Sequence, residues 1–376
     1  MRAPLHHLLR LCTAAVLLGL LGACGGGAAG PADGLPPALA GAYHVLIFQA
    51  DVGGGAMISG SARYDADASG NLTGGTTWVA GDGDPDPGTA PSLTYEVAED
   101  RTLTLLPQGG DSLVGRIATD GSIAVASALE DGANPVLVLM MRRHAAPTLA
   151  DLEGQWLRAE VRSLAGGVDY RVALSQVTIT AGGSHVPGGS TSKKDGVLTV
   201  VPPPSGPVEV TSGYSIDAEG WVRLASSFPP GPDDSIGALS ADGNVLLMGQ
   251  QPDATGAAAI RIYVRVSTMP QPGAFAGSHA VITTGKYGVD VLTGGGTLAF
   301  DQTGQGPFSL TYNVMGGIEP ELAGDAELLP IASDHFGMVL DSALAFEGPF
   351  TPDRRLGVFA GHFDNGGPAQ LLILLR

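Results

Sequence analysis

The sequence predicts an all-β protein of three tandem antiparallel units, each of about eight strands, folded as a barrel-like or sandwich unit. Two observations carry this. Runs rich in Val, Ile, Leu, Thr and aromatics are broken by Gly, Asp, Asn and Pro at intervals of about 8–12 residues, with no sustained helical period. The same layout then recurs three times along the chain. Gly115 leads through Asp120-Gly121 to the apolar run 136–141 and Arg143, and Gly348 leads through Asp353 to 371–375 and Arg376 without a gap. Gly237, Asp242-Gly243 and the run 260–266 form a middle copy that needs one extra residue. Each copy opens on a glycine two residues before a ring: Gly41 and Tyr43, Gly154 and Trp156, Gly277 and His279.

Taken in order, the first unit (38–145) holds strand-like runs at 43–50, 56–65, 71–79, 92–98, 102–107, 112–119, 122–129 and 135–143. A second unit (149–268) and a third (272–376) follow linkers at Ala145-Ala146-Pro147 and Met269-Pro270-Gln271-Pro272, whose prolines resist continuation of a strand. Asp120-Gly121, Asp195-Gly196 and Asp242-Gly243 are hairpin signals, because glycine accepts the positive φ of a type I′ turn. Ile260, Ile262, Val264 and Val266 alternate with Arg261, Tyr263 and Arg265, the pattern of a strand with one wet face. The runs 136–141 and 371–375 do not alternate, so both of their faces are expected to be covered. Closing such a meander into a barrel removes its two exposed edges. The Gly-x-ring opening resembles the first strand of lipocalin-like and avidin-like barrels. That resemblance implies small-molecule binding in a barrel mouth but transfers no ligand residues.

The N-terminus specifies a location. Arg2 and Arg10 flank a positive segment, an apolar run 11–21 follows, and small residues close it, the layout of a secretory signal peptide over 1–23. Leu21-Gly22-Ala23-Cys24 resembles the lipobox of bacterial lipoproteins, which implies that Cys24 becomes an acylated N-terminus on a flexible tether, 24–37. Gly25 stands where that family places an inner-membrane aspartate, so the resemblance implies an outer-membrane destination and a membrane partner. Removing the signal leaves Cys24 as the only cysteine, so stability rests on burial rather than cross-links. A net charge of −18 with no basic stripe argues against a nucleic-acid partner. A single membrane-spanning barrel is disfavoured by 6% aromatic content and by runs shorter than the ~9–11 residues a bilayer demands.

Motifs suggestive of chemistry lack their partners. Gly110-Asp111-Ser112-Leu113 spells the signature of GDSL hydrolases, but no histidine has the aspartate three residues upstream that the family's base requires. Ser190 and Lys193 stand in a Ser-x-x-Lys between Gly-Gly and Asp-Gly, which predicts a hairpin tip rather than the helical turn that chemistry needs. Asp65, Asp67, Ser69 and Gly70 imitate the opening of a calcium loop, with Asp82, Asp84 and Asp86 nearby, but Thr76 stands where the bidentate acid belongs. The histidines 44, 144, 185, 279, 335 and 362 are scattered singly, and Trp78, Trp156 and Trp221 read as core or barrel-mouth fillers. No cofactor is implied. The expected function is a non-catalytic binding or interaction module with a small-molecule or envelope-protein partner; a structural stalk lengthened by triplication is the first alternative, and an enzyme without a recognised motif the second. Replacing Cys24 with Ser is expected to move the protein from the membrane pellet to the soluble fraction and remove the acyl mass of its N-terminal peptide. An unchanged pellet fraction would refute the anchor.

Overall fold

The computed structural model describes residues 39–376 apart from 51–56, 81–87, 109–110, 129–135, 164–169, 195–196, 206–211, 227–234, 251–257, 268–269, 288–289, 315–316, 333, 342–343 and 362–368. The signal, Cys24 and the tether lie outside these residues. The first unit comprises β1 (Gly41–Ala50), β2 (Met57–Ala66), β3 (Asn71–Ala80), β4 (Gly88–Thr89), β5 (Leu93–Val97), β6 (Thr102–Pro107), β7 (Leu113–Ile117), β8 (Ile123–Ser127) and β9 (Val136–Arg142). After a short helix α1 (Leu149–Leu152), the second has β10 (Gly154–Ser163), β11 (Tyr170–Ile179), β12 (His185–Lys194), β13 (Val197–Val201), β14 (Ser212–Ile216), β15 (Val222–Ser226), β16 (Ser235–Leu239), β17 (Val245–Gln250) and β18 (Ala258–Arg265). A 3₁₀ turn, Pro272–Phe275, precedes β19 (Gly277–Tyr287), β20 (Asp290–Phe300), β21 (Gln305–Val314), β22 (Gly317–Pro330), β23 (Phe336–Leu340), β24 (Leu344–Gly348), β25 (Leu356–Gly361) and β26 (Ala369–Leu375).

Every pairing between these strands is antiparallel, and each unit is a ring rather than a sandwich. The third unit closes as an eight-stranded barrel, β19 to β26. The first closes through pairing of β2 with β3. The second curls through the same order but leaves β13 and β14 unpaired with each other. The difference lies in the fourth strand. In the third unit it is one long strand, β22, pairing with β21 and then β23. In the first it is split into β4 and β5, and both still pair with β3. In the second, Pro202-Pro203-Pro204 ends β13, because proline has no N–H to give a ladder. There β12 and β14 are joined by a bridge between Ser184 and Gly213 and a bond from Tyr214 N–H to the Gly183 carbonyl, 2.6 Å.

The repeated residues prove to be geometric necessities. Gly41, Gly154 and Gly277 all take positive φ (+92°, +134° and +130°), where a side chain is strained. A Cβ on Gly115, Gly237 or Gly348 would stand 1.9 Å from the carbonyl oxygen of Val125, Leu247 or Val358 on the next strand. One alignment is corrected. Tyr43 pairs with Arg142 and Trp156 with Arg265, so Arg142 rather than Arg143 is the counterpart of the C-terminal Arg376. The third copy, like the second, therefore carries one extra residue in its last hairpin, between the pairs Val125–Leu139 and Val358–Ile373.

The three rings pack through the outer faces of their first and last strands. Leu46, Phe48, Leu137 and Leu139 of the first unit, Leu157, Val161, Ile260 and Ile262 of the second, and Ile282, Val358, Leu371 and Ile373 of the third share one buried cluster. This is why 136–141 and 371–375 do not alternate: one face fills a barrel and the other fills the shared core. The contacts run cyclically. β1 and β2 pack on β17 and β18, β10 and β11 on β25 and β26, and β19 and β20 on β8. At one end of this junction Arg355 forms salt bridges to the equivalent aspartates of all three copies, Asp120, Asp242 and Asp353. Between the first two units, Ser61 donates to the Ile236 carbonyl (2.9 Å), and Arg63 lies 4.2 Å over the Trp221 ring. His44 is wholly buried there, edge-on to Trp221.

Ile373→Ala, which truncates a side chain in the shared core, is expected to cost about 2–5 kcal/mol. Urea denaturation followed by fluorescence and by far-UV dichroism should give coincident transitions, both shifted down. Loss confined to a separable fraction of the signal would show that the units do not depend on a common core.

Candidate functional site in the second ring

The second ring differs from its neighbours in what it encloses. Along β10, Leu157, Ala159 and Val161 point to the shared core while Trp156, Arg158, Glu160 and Arg162 point inward, as strand alternation requires. The register sets Arg158 between Ser175 and Tyr263, Glu160 between Ala173 and Arg261, and Arg162 between Arg171 and Ala259. One end of the interior is apolar, built from Leu152, Trp156, Val177, Tyr214, Leu246 and Tyr263. The other is a layer of four guanidinium groups and one carboxylate, with Ser175, Ser192, Ser235 and Gln250 buried around it.

The apolar end is stoppered. The N–H and hydroxyl of Thr148 both donate to the Asp151 carboxylate (2.7 Å each), starting α1. Its last residue, Leu152, is fully buried and accepts a bond from Trp156 Nε1 at 2.9 Å. Arg265 lies 4.4 Å over the Trp156 ring and donates to the Asp151 and Glu153 carbonyls. The third ring repeats the device, with His279 Nε2 donating to the Phe275 carbonyl (2.9 Å) and Arg376 to that of Ala276 (3.1 Å).

In the polar layer Arg261 Nε meets Glu160 Oε2 at 2.7 Å, with both side chains buried, and Arg158 Nε stands 3.9 Å from the same oxygen. Burial alone would raise the Glu160 carboxyl. The charges of Arg261 and then Arg158 outweigh it and hold the group down at about 2. A carboxylate so fixed keeps its charge across the neutral range and has no proton to shuttle. Arg158 Nη2 reaches Ser175 Oγ at 3.5 Å, and Tyr214 donates to Tyr263 at 3.2 Å below it. Among the described residues the other rings hold no such layer. Arg158, Glu160 and Arg261 correspond by register to Val45, Ile47 and Val138 in the first ring and to Val281, Thr283 and Leu372 in the third.

This layer corrects the sequence reading. Alternation along β18 suggested a wet face, but Arg261 and Tyr263 are 2% and 0% exposed. The pattern Trp156-Leu157-Arg158-Ala159-Glu160-Val161-Arg162 carries the same signal, and only ring closure distinguishes an interior from solvent. The stretch that imitates a calcium loop forms a turn: Asp67 Oδ1 accepts the N–H groups of Ser69 and Asn71, and Oδ2 accepts Asn71 Nδ2, all at 2.9 Å, with Asp65 near the end of β2. Asp82, Asp84 and Asp86 lie outside the described residues, as do Gly110 and His362. Ser190 and Lys193 belong to β12, not to a hairpin tip. Trp156 fills a core, whereas Trp221 and Trp78 meet Arg63 and Arg223 across the contact between the first two units.

No protein-family model matches the chain, and no curated protein sequence matches it. Among solved structures it is similar to isotype 1 transferrin binding protein B (TbpB) from serogroup B Neisseria meningitidis, at 9% identity over 84% of this chain, TM-score 0.26. The chain spans 65% of the length of that protein. A mutant of the vaccine antigen TbpB from Haemophilus parasuis Hp5 is similar at 10% identity, covering 90% of this chain and 75% of the other, TM-score 0.27. CghA is similar at 9% identity, covering 89% and 88%, TM-score 0.22. Similarities at this level carry no functional argument.

Two fully buried groups contribute to the acid response. Burial, then Arg143 and Arg63, push the His44 imidazole from 6.5 down to about 3. The unfolded chain therefore binds a proton that the folded one refuses, and stability falls as pH drops from about 6.5 towards 3. Glu160 is depressed from 4.5 to about 2, so its contribution is present above about 4.5 and lost as pH falls towards 2. Urea midpoints measured from pH 7 to 2 should decline through both windows. His44→Leu should flatten the upper one, worth on the order of a few kcal/mol, and Glu160→Gln the lower one. Unchanged slopes in both variants would contradict the assignment.

Proposed function

We propose that this chain is an exported, lipid-anchored binding protein of the cell envelope in which the second ring is the binding unit. On this reading 1–23 is the signal peptide, Cys24 carries the lipid, 24–37 is the tether, and an outer membrane is the destination. The units 38–145, 149–268 and 272–376 form one head. The observation that carries the reading is the chemical difference among three copies of one scaffold. The first and third rings are filled largely by apolar side chains. The second keeps buried charges that a purely structural ring has no use for, since replacing a buried ion pair by packed apolar groups is often neutral or stabilising.

The stalk alternative is the weaker one. Triplication lengthens a rod only if units stack end on end. Here the hairpins of all three meet around one core, so repetition adds girth. Binding is favoured over catalysis because Glu160 is pinned between cations. The purified full chain in detergent, exposed to extract of its own cells and examined by native mass spectrometry, is expected to retain a small-molecule mass that disappears on denaturation. A clean apo mass would remove the small-molecule reading and leave a protein partner to be sought by crosslinking.

A further inference from the structure

We infer that the head rests on the bilayer by one defined end, with the Leu329–Ile331 corner of the third ring set into the lipid interface; this rests on Cys24 carrying the lipid. Topology fixes the end. The first strands β1, β10 and β19 all start there and the last strands β9, β18 and β26 all stop there, since each first strand runs antiparallel to the last strand of its own ring. The three rings present these ends on the same side. Arg143 bridges to Ser240, the Arg142 carbonyl accepts the Ala241 N–H at 2.9 Å, and Arg355 ties Asp120 to Asp242 across the junction.

The chain enters the head at this end and is held there. Leu39, just before β1, is fully buried, and its carbonyl accepts the Tyr95 hydroxyl at 2.7 Å. Residues 25–38 separate Cys24 from Leu39. Their length spans at most about 50 Å when extended and about 20 Å as a flexible coil. Strands as long as β1 and β19, tilted as a barrel requires, put the opposite end about 25–30 Å further away. For that end to face the lipid, the tether would have to run up the outside of the head for more than its coil length. Stretching it so costs conformational entropy that the other orientation leaves intact.

The same end exposes aliphatic surface. Of the four large apolar side chains most exposed among the described residues, two lie here: Leu329 near the end of β22 (40%) and Ile331 just beyond it (52%). The turn is closed by the N–H groups of Ile331 and Ala332, which both donate to the His335 carbonyl. Ile331 lies so close over Gly337 that a Cβ there would stand 2.6 Å from its Cδ1, which braces the side chain at the surface. Asp334, the acid of this turn, is held by Gln176 of the second ring at 3.1 Å and by His335 at 2.8 Å. The equivalent turns of the other rings place Glu99-Asp100 and Asp217-Ala218-Glu219 at this end. Only the third copy offers an aliphatic corner, and a lipid interface buries such a corner where water would not.

The lipidated full chain, reconstituted in phosphatidylcholine vesicles that contain a headgroup-nitroxide lipid, tests the orientation. Once the signal is removed Cys24 is the sole native cysteine and carries the lipid, so an introduced cysteine gives a single site for a fluorophore. Ser69→Cys and Gln302→Cys place it at the bilayer end of the first and third rings, and Gln108→Cys and Ala345→Cys at the opposite end of the same rings; all four positions are exposed. The expected result is nitroxide quenching several-fold stronger at the Ser69 and Gln302 positions than at the other two. Adding Ile331→Ser should reduce quenching at the Gln302 position while the lipid keeps the chain in the vesicle pellet. Equal quenching at both ends, or stronger quenching at the Gln108 and Ala345 positions, would overturn the orientation and leave the anchor standing. No effect of Ile331→Ser would overturn the seating of that corner. A chain that does not sediment with the vesicles would overturn the anchor, and the orientation with it.

Discussion

The closing strands of each ring are buried on both faces, and the rest of the molecule follows from that. A barrel needs only its inner face apolar; here the outer faces of β1, β9, β10, β18, β19 and β26 are apolar too. No ring can leave that outer face in water, since each buried aliphatic side chain contributes about 1.5–3 kcal/mol relative to exposure. Each unit offers its first hairpin to the last hairpin of the next. Used three times, this head-to-tail contact closes on itself, as heterologous interfaces do when their rotation permits.

Closure places equivalent residues of the copies near one another. The aspartates at the same turn of each unit converge, and a cation among them becomes necessary. Asp120, Asp242 and Asp353 each hold a local hydroxyl, from Ser122, Ser240 and Thr351 at 2.6–2.7 Å, and share Arg355. The sequence departs from repetition there: the third turn reads Asp353-Arg354-Arg355 where the others have Asp-Gly. One copy supplies the charge that all three need.

The interiors diverge where the exteriors cannot. The outer faces are constrained by partners on two sides, so they stay mostly apolar in every copy. Each inner face meets only its own ring. In the first and third it filled with Tyr, Leu and Phe; in the second it retains a stoppered apolar end beneath a charged layer. The ion pair of Glu160 and Arg261 is satisfied by good geometry. Arginines gathered around that carboxylate are what distinguishes this ring chemically.

Much of this was written in the chain. The strand runs, the three copies, the glycines before the aromatic rings and the doubly covered runs 136–141 and 371–375 could be read because backbone sterics and side-chain period act locally. Gly115, Gly237 and Gly348 recur because a Cβ would collide with the neighbouring strand. The charged layer could not be read so. Arg158, Glu160 and Arg261 alternate with aliphatic residues as a solvent-facing row would, and a period of two says which residues share a face without saying what that face meets. The sequence by itself determined the strands, their turns and the triplication. Only the tertiary structure decided which polar rows are enclosed, because enclosure depends on ring closure between strands distant in the chain.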